Sequence, residues 1–355
     1  MDYKKSGVDI VAADQLIERA FGKNADGNEQ NQESLQRQDE LKSKILSRPG
    51  DYASVFALNE DQAIALCCDG VGTKLYWTIQ GFGSARQLAQ DLIAMNVNDL
   101  LCVGARPTLF LDYMAFSSSE LMKKNGLFEN FLRELQSVSA EIGQLLVGGE
   151  TAQMADLYRD KDFDVAGFSL GVMNKNDLIT GEDLKEGDQL WAWESSGPHS
   201  NGYSWLRKIY DPEKDETFIR QELMNPTRLY VKEFDVLRSF LAGKSNVKAA
   251  FHMTGSGFLN LLRKQPEGRE IGFEIDADLL LAREAQWVSN LKERSQSQSA
   301  ELYRSFNMGY GFAVVLDPVF SQASSSELRK MGLVNIGKAT AEKSIRFEGQ
   351  QSFQL

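Results

Sequence analysis

Short apolar runs alternate with glycine-bearing polar strings along this chain, which confines it to folds whose strands end in loops able to face a ligand. The strings are DGVGTK at 69–74, GGET at 148–151, SSGPHSNG at 195–202, HMTGSG at 252–257 and FNMGYG at 306–311. Glycine in such loops permits positive φ and a close approach of backbone to a bound group. Between them, AIALCC (63–68), TLFLDYMAF (108–116), QLLV (144–147), FDVAGFSLGVM (163–173), LWAWE (190–194), IGFEI (271–275) and FAVVL (312–316) read as strands. Leu88, Leu92, Met95 and Leu100 recur at intervals that predict a helix over 84–101, and a second is predicted over 128–142. NPTRLYVKEFDVLRSFL predicts a third over 225–241, with Pro226 in its first turn. Strands alternating with helices define an α/β (α+β) chain.

The 355 residues suit two domains. The polar, turn-rich stretch 173–188 divides them, giving an N-terminal domain over 1–174 and a C-terminal domain over 175–355. GKNADGNEQNQESLQRQDELKSK (22–44) is too polar for a core and reads as a mobile loop leading into a solvated helix. No run approaches the 18 uncharged apolar residues of a membrane span, and MDYKKSGVDI has no apolar segment behind its lysines, so a cytoplasmic chain is expected. Lys+Arg 39 against Asp+Glu 50 leaves a net charge of −11, which argues against a nucleic-acid backbone as partner. Phosphate on a small molecule stays compatible, because local amides and Mg²⁺ can hold it. Cys67, Cys68 and Cys102 cannot make an even disulfide framework and are expected to be reduced and partly buried.

Several residues carry candidate chemistry. In DGVGTK, Asp69 leaves a strand, Gly70 and Gly72 let the chain turn, and Lys74 follows; the string reads either as a plain turn or as a carboxylate for Mg²⁺ beside a cation for phosphate. It is not a Walker A loop, since GxxxxGK[ST] is absent. Asp91 and Asp99 fall eight residues apart within an apolar helix, where carboxylates need a cation or hydrogen-bond donors. Glu150 follows a double glycine and a strand, and reads either as a third Mg²⁺ ligand or as an acceptor of a substrate amide proton. His199 and His252 both sit in Gly/Ser-rich strings, either as structural groups or as phosphate or proton handlers. Two histidines cannot form a His₃ zinc site, and no GxSxG elbow accompanies them.

Together these segments resemble the phosphoribosylformylglycinamidine cyclo-ligase (aminoimidazole ribonucleotide synthetase) family. The match runs in order through YKKSGVDI (3–10), DGVGTKL (69–75), DLIAMNVNDLLCVGARP (91–107), FLDY (110–113), GGETAQM (148–154), FDVAGFSLGV (163–172), SSGPHSNGYSWLRKI (195–209), NPTRLYVK (225–232), HMTGSGF (252–258) and FNMGYG (306–311). The resemblance implies ATP-dependent ring closure of formylglycinamidine ribonucleotide to aminoimidazole ribonucleotide through phosphorylation of the formyl amide oxygen. It implies an N-terminal α/β domain whose sheet pairs across a homodimer, with the ATP cleft between the two domains. Carried over, it gives His199, His252, Lys74 and Asp99 catalytic roles. Lys4, Asp69, Gly70, Gly72, Thr73, Lys74, Asn98, Gly148, Gly149, Glu150 and Thr151 would contact ATP. Ser196, His199, Asn201, Thr254, Gly255, Ser256 and Gly257 would contact substrate, and Asp69, Asp99 and Glu150 would hold Mg²⁺.

The chain departs from the family's pattern in places. Where members carry a run like GGLGGFG it reads SRPGDYASVFAL (47–58), with a single glycine. Gln153 stands for an acidic residue, Ala155-Asp156 for Pro-Gly, and Gly255-Ser256-Gly257 for a triple glycine. The alternative reading is a paralogue that is non-catalytic or acts on another acceptor. Within that alternative, SSGPHSNGYS argues against a thiamine-phosphate kinase, and the lack of an N-terminal cysteine against a selenophosphate synthetase.

Overall fold

A computed structural model of the chain describes residues 32–118, 126–159, 162–295, 297–350 and 352–355. Lys4, the rest of YKKSGVDI and positions 22–31 lie outside the described residues. Residues 32–42 form a helix that is exposed over 36–42, as the polar composition of 22–44 anticipates.

The first sheet contains β1 (Ser54–Ala57), β2 (Gln62–Gly70), β3 (Arg106–Phe116), β4 (Leu145–Gln153) and β5 (Phe163–Asn174) in the order β1-β2-β5-β3-β4. Only the β3/β4 pair is parallel. One face is covered by α1 (Ala85–Cys102) and α2 (Leu127–Glu141). Helix α1 starts at Ser84 with a capping box: the Ser84 hydroxyl accepts from the Gln87 N–H while the Gln87 side chain accepts from the Ser84 N–H. Phe128, Phe131, Leu135 and Val138 recur at helical spacing and place one buried stripe of α2 in the core.

The second sheet holds β6 (Gln189–Glu194), β7 (Ala249–His252), β8 (Gly272–Asp276), β9 (Tyr310–Leu316), β10 (Leu333–Thr340), β11 (Ile345–Glu348) and β12 (Phe353–Gln354), ordered β12-β11-β8-β10-β6-β9-β7. Helices α3 (Tyr203–Ile209) and α4 (Val231–Leu241) flank it. Helix α1 also packs against β7, so a continuous core runs from Leu92 and Val97 of α1 to Phe251 and Phe312 of the second sheet.

Three local expectations change. GGET lies inside β4 rather than in a loop after it; Gly149 is opposite Asp112 of β3, where a Cβ would run into the carboxylate. His252 ends β7 instead of sitting in a loop. The helix expected over 225–241 begins only at Val231, because 225–230 stays irregular and spends its polar groups on α1. The Thr227 N–H donates to Asp91 Oδ1 at 2.7 Å, and the Tyr230 N–H to Asn98 Oδ1 at 3.2 Å. The three cysteines are free, with Cys68 exposed, Cys67 half-buried and Cys102 buried. Among the described residues no helix is long and apolar enough to cross a membrane.

Candidate functional site

A cavity of about 440 Å³ opens where the two sheets meet. From the first sheet and α1 it takes Asp69, Gly70, Val71, Gly72, Asp164 and Met95. From the other half come Ser200, Asn201, Thr254, Gly255, Ser256 and Arg263. Gly72 turns the chain at φ +65°, a left-handed conformation that a residue with a Cβ rarely adopts. Seven residues expected from the sequence therefore share one cavity: Asp69, Gly70, Gly72, Asn201, Thr254, Gly255 and Ser256.

Asp69 is the perturbed acid of this cavity. Burial, reinforced by the nearby Asp99 carboxylate, pushes its pKa up to about 6, against a hydrogen bond of 2.7 Å from the Gly70 N–H and the positive charge of Arg263. Asn96 of α1 secures the strand end by donating to the Asp69 carbonyl at 3.1 Å and accepting from its N–H at 3.0 Å. Burial also raises Asp164. Asn201 Nδ2 is buried and finds no hydrogen-bond partner among the described residues.

Lys74 does not reach the cavity, and the expected phosphate contact is corrected. Its side chain is fully enclosed, with Nζ 2.8 Å from Asp91 Oδ2 and donating to the Asn225 carbonyl at 2.8 Å. A charge without solvent needs a counter-charge, which Asp91 supplies. Burial lowers the Lys74 pKa while Asp91 opposes that shift. Asp91 Oδ1 also accepts from the Thr227 hydroxyl at 2.7 Å and the Ser200 hydroxyl at 3.2 Å. The pair thus fastens DGVGTK and α1 to two loops of the second half.

Both histidines stand behind the cavity wall. His252 Nδ1 lies 2.8 Å from Asp99 Oδ1, and Asn98 Nδ2 lies 3.3 Å from His252 Nε2. Since the amide donates, this pattern describes a neutral ring that donates from Nδ1 to Asp99. Asn98 also donates to the Arg228 carbonyl at 2.9 Å, so its amide is engaged in the wall. His199 is fully buried at φ +60°, its ring 6.4 Å from that of His252, and both of its nitrogens lack partners among the described residues. Burial, with His252, Lys74 and Arg228 nearby, holds its pKa well below the usual imidazole range.

The remaining residues are placed apart. The Thr73 hydroxyl is 3.0 Å from Ser204 Oγ, Ser196 donates to the Pro226 carbonyl, and Gly257 is buried below the 252–257 turn. Asp69, Gly167, Asp112 and Gly149 line up across β2, β5, β3 and β4, which puts Gly148–Thr151 three strand spacings, about 14 Å, from Asp69. Glu150 is one residue beyond Gly149 and so projects from the opposite face of the sheet. Within one chain Asp69 and Glu150 cannot ligate the same ion, and among the described residues no group of three His, Cys, Asp or Glu is arranged to hold a metal. The expected Asp69–Asp99–Glu150 set is corrected on that ground.

Sequence reasoning missed Asp164 and Arg263. Asp164 is a charged residue near the start of an otherwise apolar strand, which was a readable signal. Arg263 reaches the cavity only because the 3₁₀ segment Gly257–Leu262 turns the chain back, and no spacing announces that.

Compared with known proteins, residues 50–173 match the family described as AIR synthase related protein, N-terminal domain, and residues 185–350 its C-terminal domain. The phosphoribosylformylglycinamidine cyclo-ligase of Bacillus pumilus (strain SAFR-032) is 34% identical over 336 residues, covering 88% of each chain. That of Xanthomonas campestris pv. campestris (strain B100) is 33% identical over 348 residues, covering 94% of this chain and 95% of the relative. The solved structure of AaThiL complexed with AMPPCP and TMP is 13% identical, with a TM-score of 0.60 over 93% of this chain and 99% of that one, and it shares the fold.

Proposed function

The chain belongs to the AIR synthase related family, whose N- and C-terminal domains it carries in order, and from that premise we propose that it is an ATP-dependent cyclo-ligase converting formylglycinamidine ribonucleotide to aminoimidazole ribonucleotide. The observation that carries the reading is the likeness to named cyclo-ligases along 88% of both chains, spanning the elements that build each side of the cavity. Substrate-dependent release of ADP by the purified chain tests it.

Ring closure joins the amidine-side nitrogen to the formyl carbon, expels the former amide oxygen and releases a proton. Oxygen leaves poorly from an amide, and ATP, when bound, supplies the phosphoryl group that makes it a phosphate leaving group. Asp69 fits Mg²⁺, an oxygen-seeking ion that takes one or two carboxylates and completes its shell with phosphates and water, whereas Asp164, three residues before the Gly167 that pairs with Asp69, projects from the other face of the sheet. The Asp69 carboxylate carries a burial penalty in the ion-free protein, which a bound cation would relieve. Asn201 offers its free amide donor and Ser256 its hydroxyl to ligand oxygens. Lys74, Asn98, His199 and His252 act as buried supports of the loops that bear these groups, with Asp99 holding the His252 ring in one tautomer.

The uncovered face of the first sheet supports a homodimer. Leu66 on β2, Phe168 on β5, Leu111 on β3 and Leu145 on β4 all emerge on the side away from α1 and are 46%, 45%, 43% and 62% exposed. A contiguous apolar surface of this kind marks an interaction site, and a second copy presenting the same face would be self-complementary. The reading goes with a domain division at 174/175 and a cytoplasmic protein.

A further inference from the structure

Among the described residues that line the cavity, Arg263 is the only one with a permanent positive charge. Among the described residues its guanidinium has no carboxylate or carbonyl within hydrogen-bonding distance. Its side chain is exposed to the cavity mouth but not free to wander, because the guanidinium carbon lies 5.0 Å from the centroid of the Tyr52 ring. A cation held within about 6 Å of a ring centroid is attracted to the aromatic face, which restrains the side chain.

The residues under Arg263 come from the stretch 47–58, which has a single glycine. Tyr52 is buried, its hydroxyl 3.4 Å from the His252 carbonyl and 3.5 Å from that of Asn260. Its N–H donates to Asp51 Oδ1 at 2.8 Å. Asp51 in turn accepts from the buried Lys264 Nζ at 2.9 Å and 3.1 Å, and the same Nζ donates to the Ile179 carbonyl at 2.9 Å. Lys264 is therefore neutralised and pinned, while its neighbour Arg263 makes no such contact among the described residues and lines the cavity with Asp69 as the carboxylate that feels its charge. One segment of the first half thus sorts two adjacent cations into a strut and a free binding group. Across the cavity, Asn201 Nδ2 is the buried donor without a partner, and Ser256 supplies a hydroxyl that caps nothing.

We propose that Arg263, set by the Tyr52 ring, binds a phosphate group of a ligand in this cavity, with Asn201 Nδ2 and the Ser256 hydroxyl completing the site. The inference deepens the cyclo-ligase reading and rests on it for the ligand's identity, although the phosphate chemistry stands on the geometry alone. Arg suits the task because its planar fork meets two phosphate oxygens at once. Two ligands of the proposed reaction carry phosphate: the ribonucleotide on its 5′ carbon and ATP in its triphosphate. Tyr52 is a positioning residue, acting through Arg263.

The test compares wild type with Arg263→Gln, Arg263→Lys, Tyr52→Leu and Tyr52→Phe. For Arg263→Gln, KM for one of the two phosphate ligands should rise about tenfold to a hundredfold while kcat changes little. A rise confined to the ribonucleotide assigns its 5′-phosphate, and one confined to ATP assigns the triphosphate. Arg263→Lys should fall between, because it keeps charge and loses the fork. Tyr52→Leu should raise the same KM by a few-fold, and Tyr52→Phe, which keeps the ring, should restore it. Ribose 5-phosphate and inorganic phosphate, titrated calorimetrically without turnover, separate this inference from the reaction itself. Weaker binding of either probe to Arg263→Gln than to wild type supports the site even if no cyclisation is seen. Unchanged KM for both ligands in Arg263→Gln, or probes that bind both proteins equally or neither, would overturn it.

Discussion

Lys74 Nζ stands 2.8 Å from Asp91 Oδ2 with the two side chains 0% and 3% exposed, and the pair joins the halves of the protein through the Thr227 and Ser200 hydroxyls and the Asn225 carbonyl. Removing one partner strands a buried charge. Lys74→Met or Asp91→Asn is expected to cost about 3–5 kcal/mol, read from urea unfolding. The double variant Lys74→Met/Asp91→Asn should lose less than the sum of the singles, as coupled neighbours do. Additive losses would show that the two groups act independently.

His199 gives a pH dependence with a definite sign. Its folded pKa is well below the ordinary imidazole value of about 6.5, so below that pH the unfolded chain binds a proton that the folded chain refuses. Its contribution to stability is complete above about pH 6.5 and is lost as the pH falls, by at most about 1.4 kcal/mol per unit. His199→Asn, which tolerates the left-handed backbone at φ +60°, should remove that share of the slope. Denaturant unfolding of both proteins between pH 5 and 8, in steps of about half a unit, checks it. Parallel curves would contradict the buried neutral ring.

Much of the fold was legible because strand and helix periods are written in the side chains. The alternation in FDVAGFSLGVM became β5, and the spacing of Leu88 and Leu92 became α1. What escaped depends on tertiary partners. GGET hid the second half of β4, since glycines break the apolar pattern even where the ladder with β3 continues. The 225–230 stretch has helix-compatible composition, but its N–H groups are drawn to Asp91 and Asn98. Likewise, no local sequence shows that Lys74 is answered by Asp91 while Arg263 is left open. The cavity loops were found by their glycines; the sorting of charges around them was not.

Asp69 should matter more to turnover than to folding. Asp69→Asn keeps the hydrogen bond with Gly70 available and removes a carboxylate whose ionisation burial opposes. Turnover is expected to fall by about a hundredfold or more, with melting temperature equal to or above that of wild type near pH 7. A variant with wild-type rates would remove Asp69 from the reaction.

The first sheet's open face predicts self-association. Phe168→Lys places a charge in the middle of the apolar row formed with Leu111 and Cys68. Sedimentation velocity should show a dimer for wild type and a shift to monomer for Phe168→Lys, with secondary structure intact by circular dichroism. A wild-type monomer would contradict the pairing.

The most direct measurement mixes the purified full chain with ATP, Mg²⁺ and formylglycinamidine ribonucleotide and follows ADP and aminoimidazole ribonucleotide together. The proposed function predicts one ADP for each aminoimidazole ribonucleotide formed, and none of either when the ribonucleotide is omitted. ADP release that never depends on the ribonucleotide, or a ribonucleotide recovered unchanged, would contradict it.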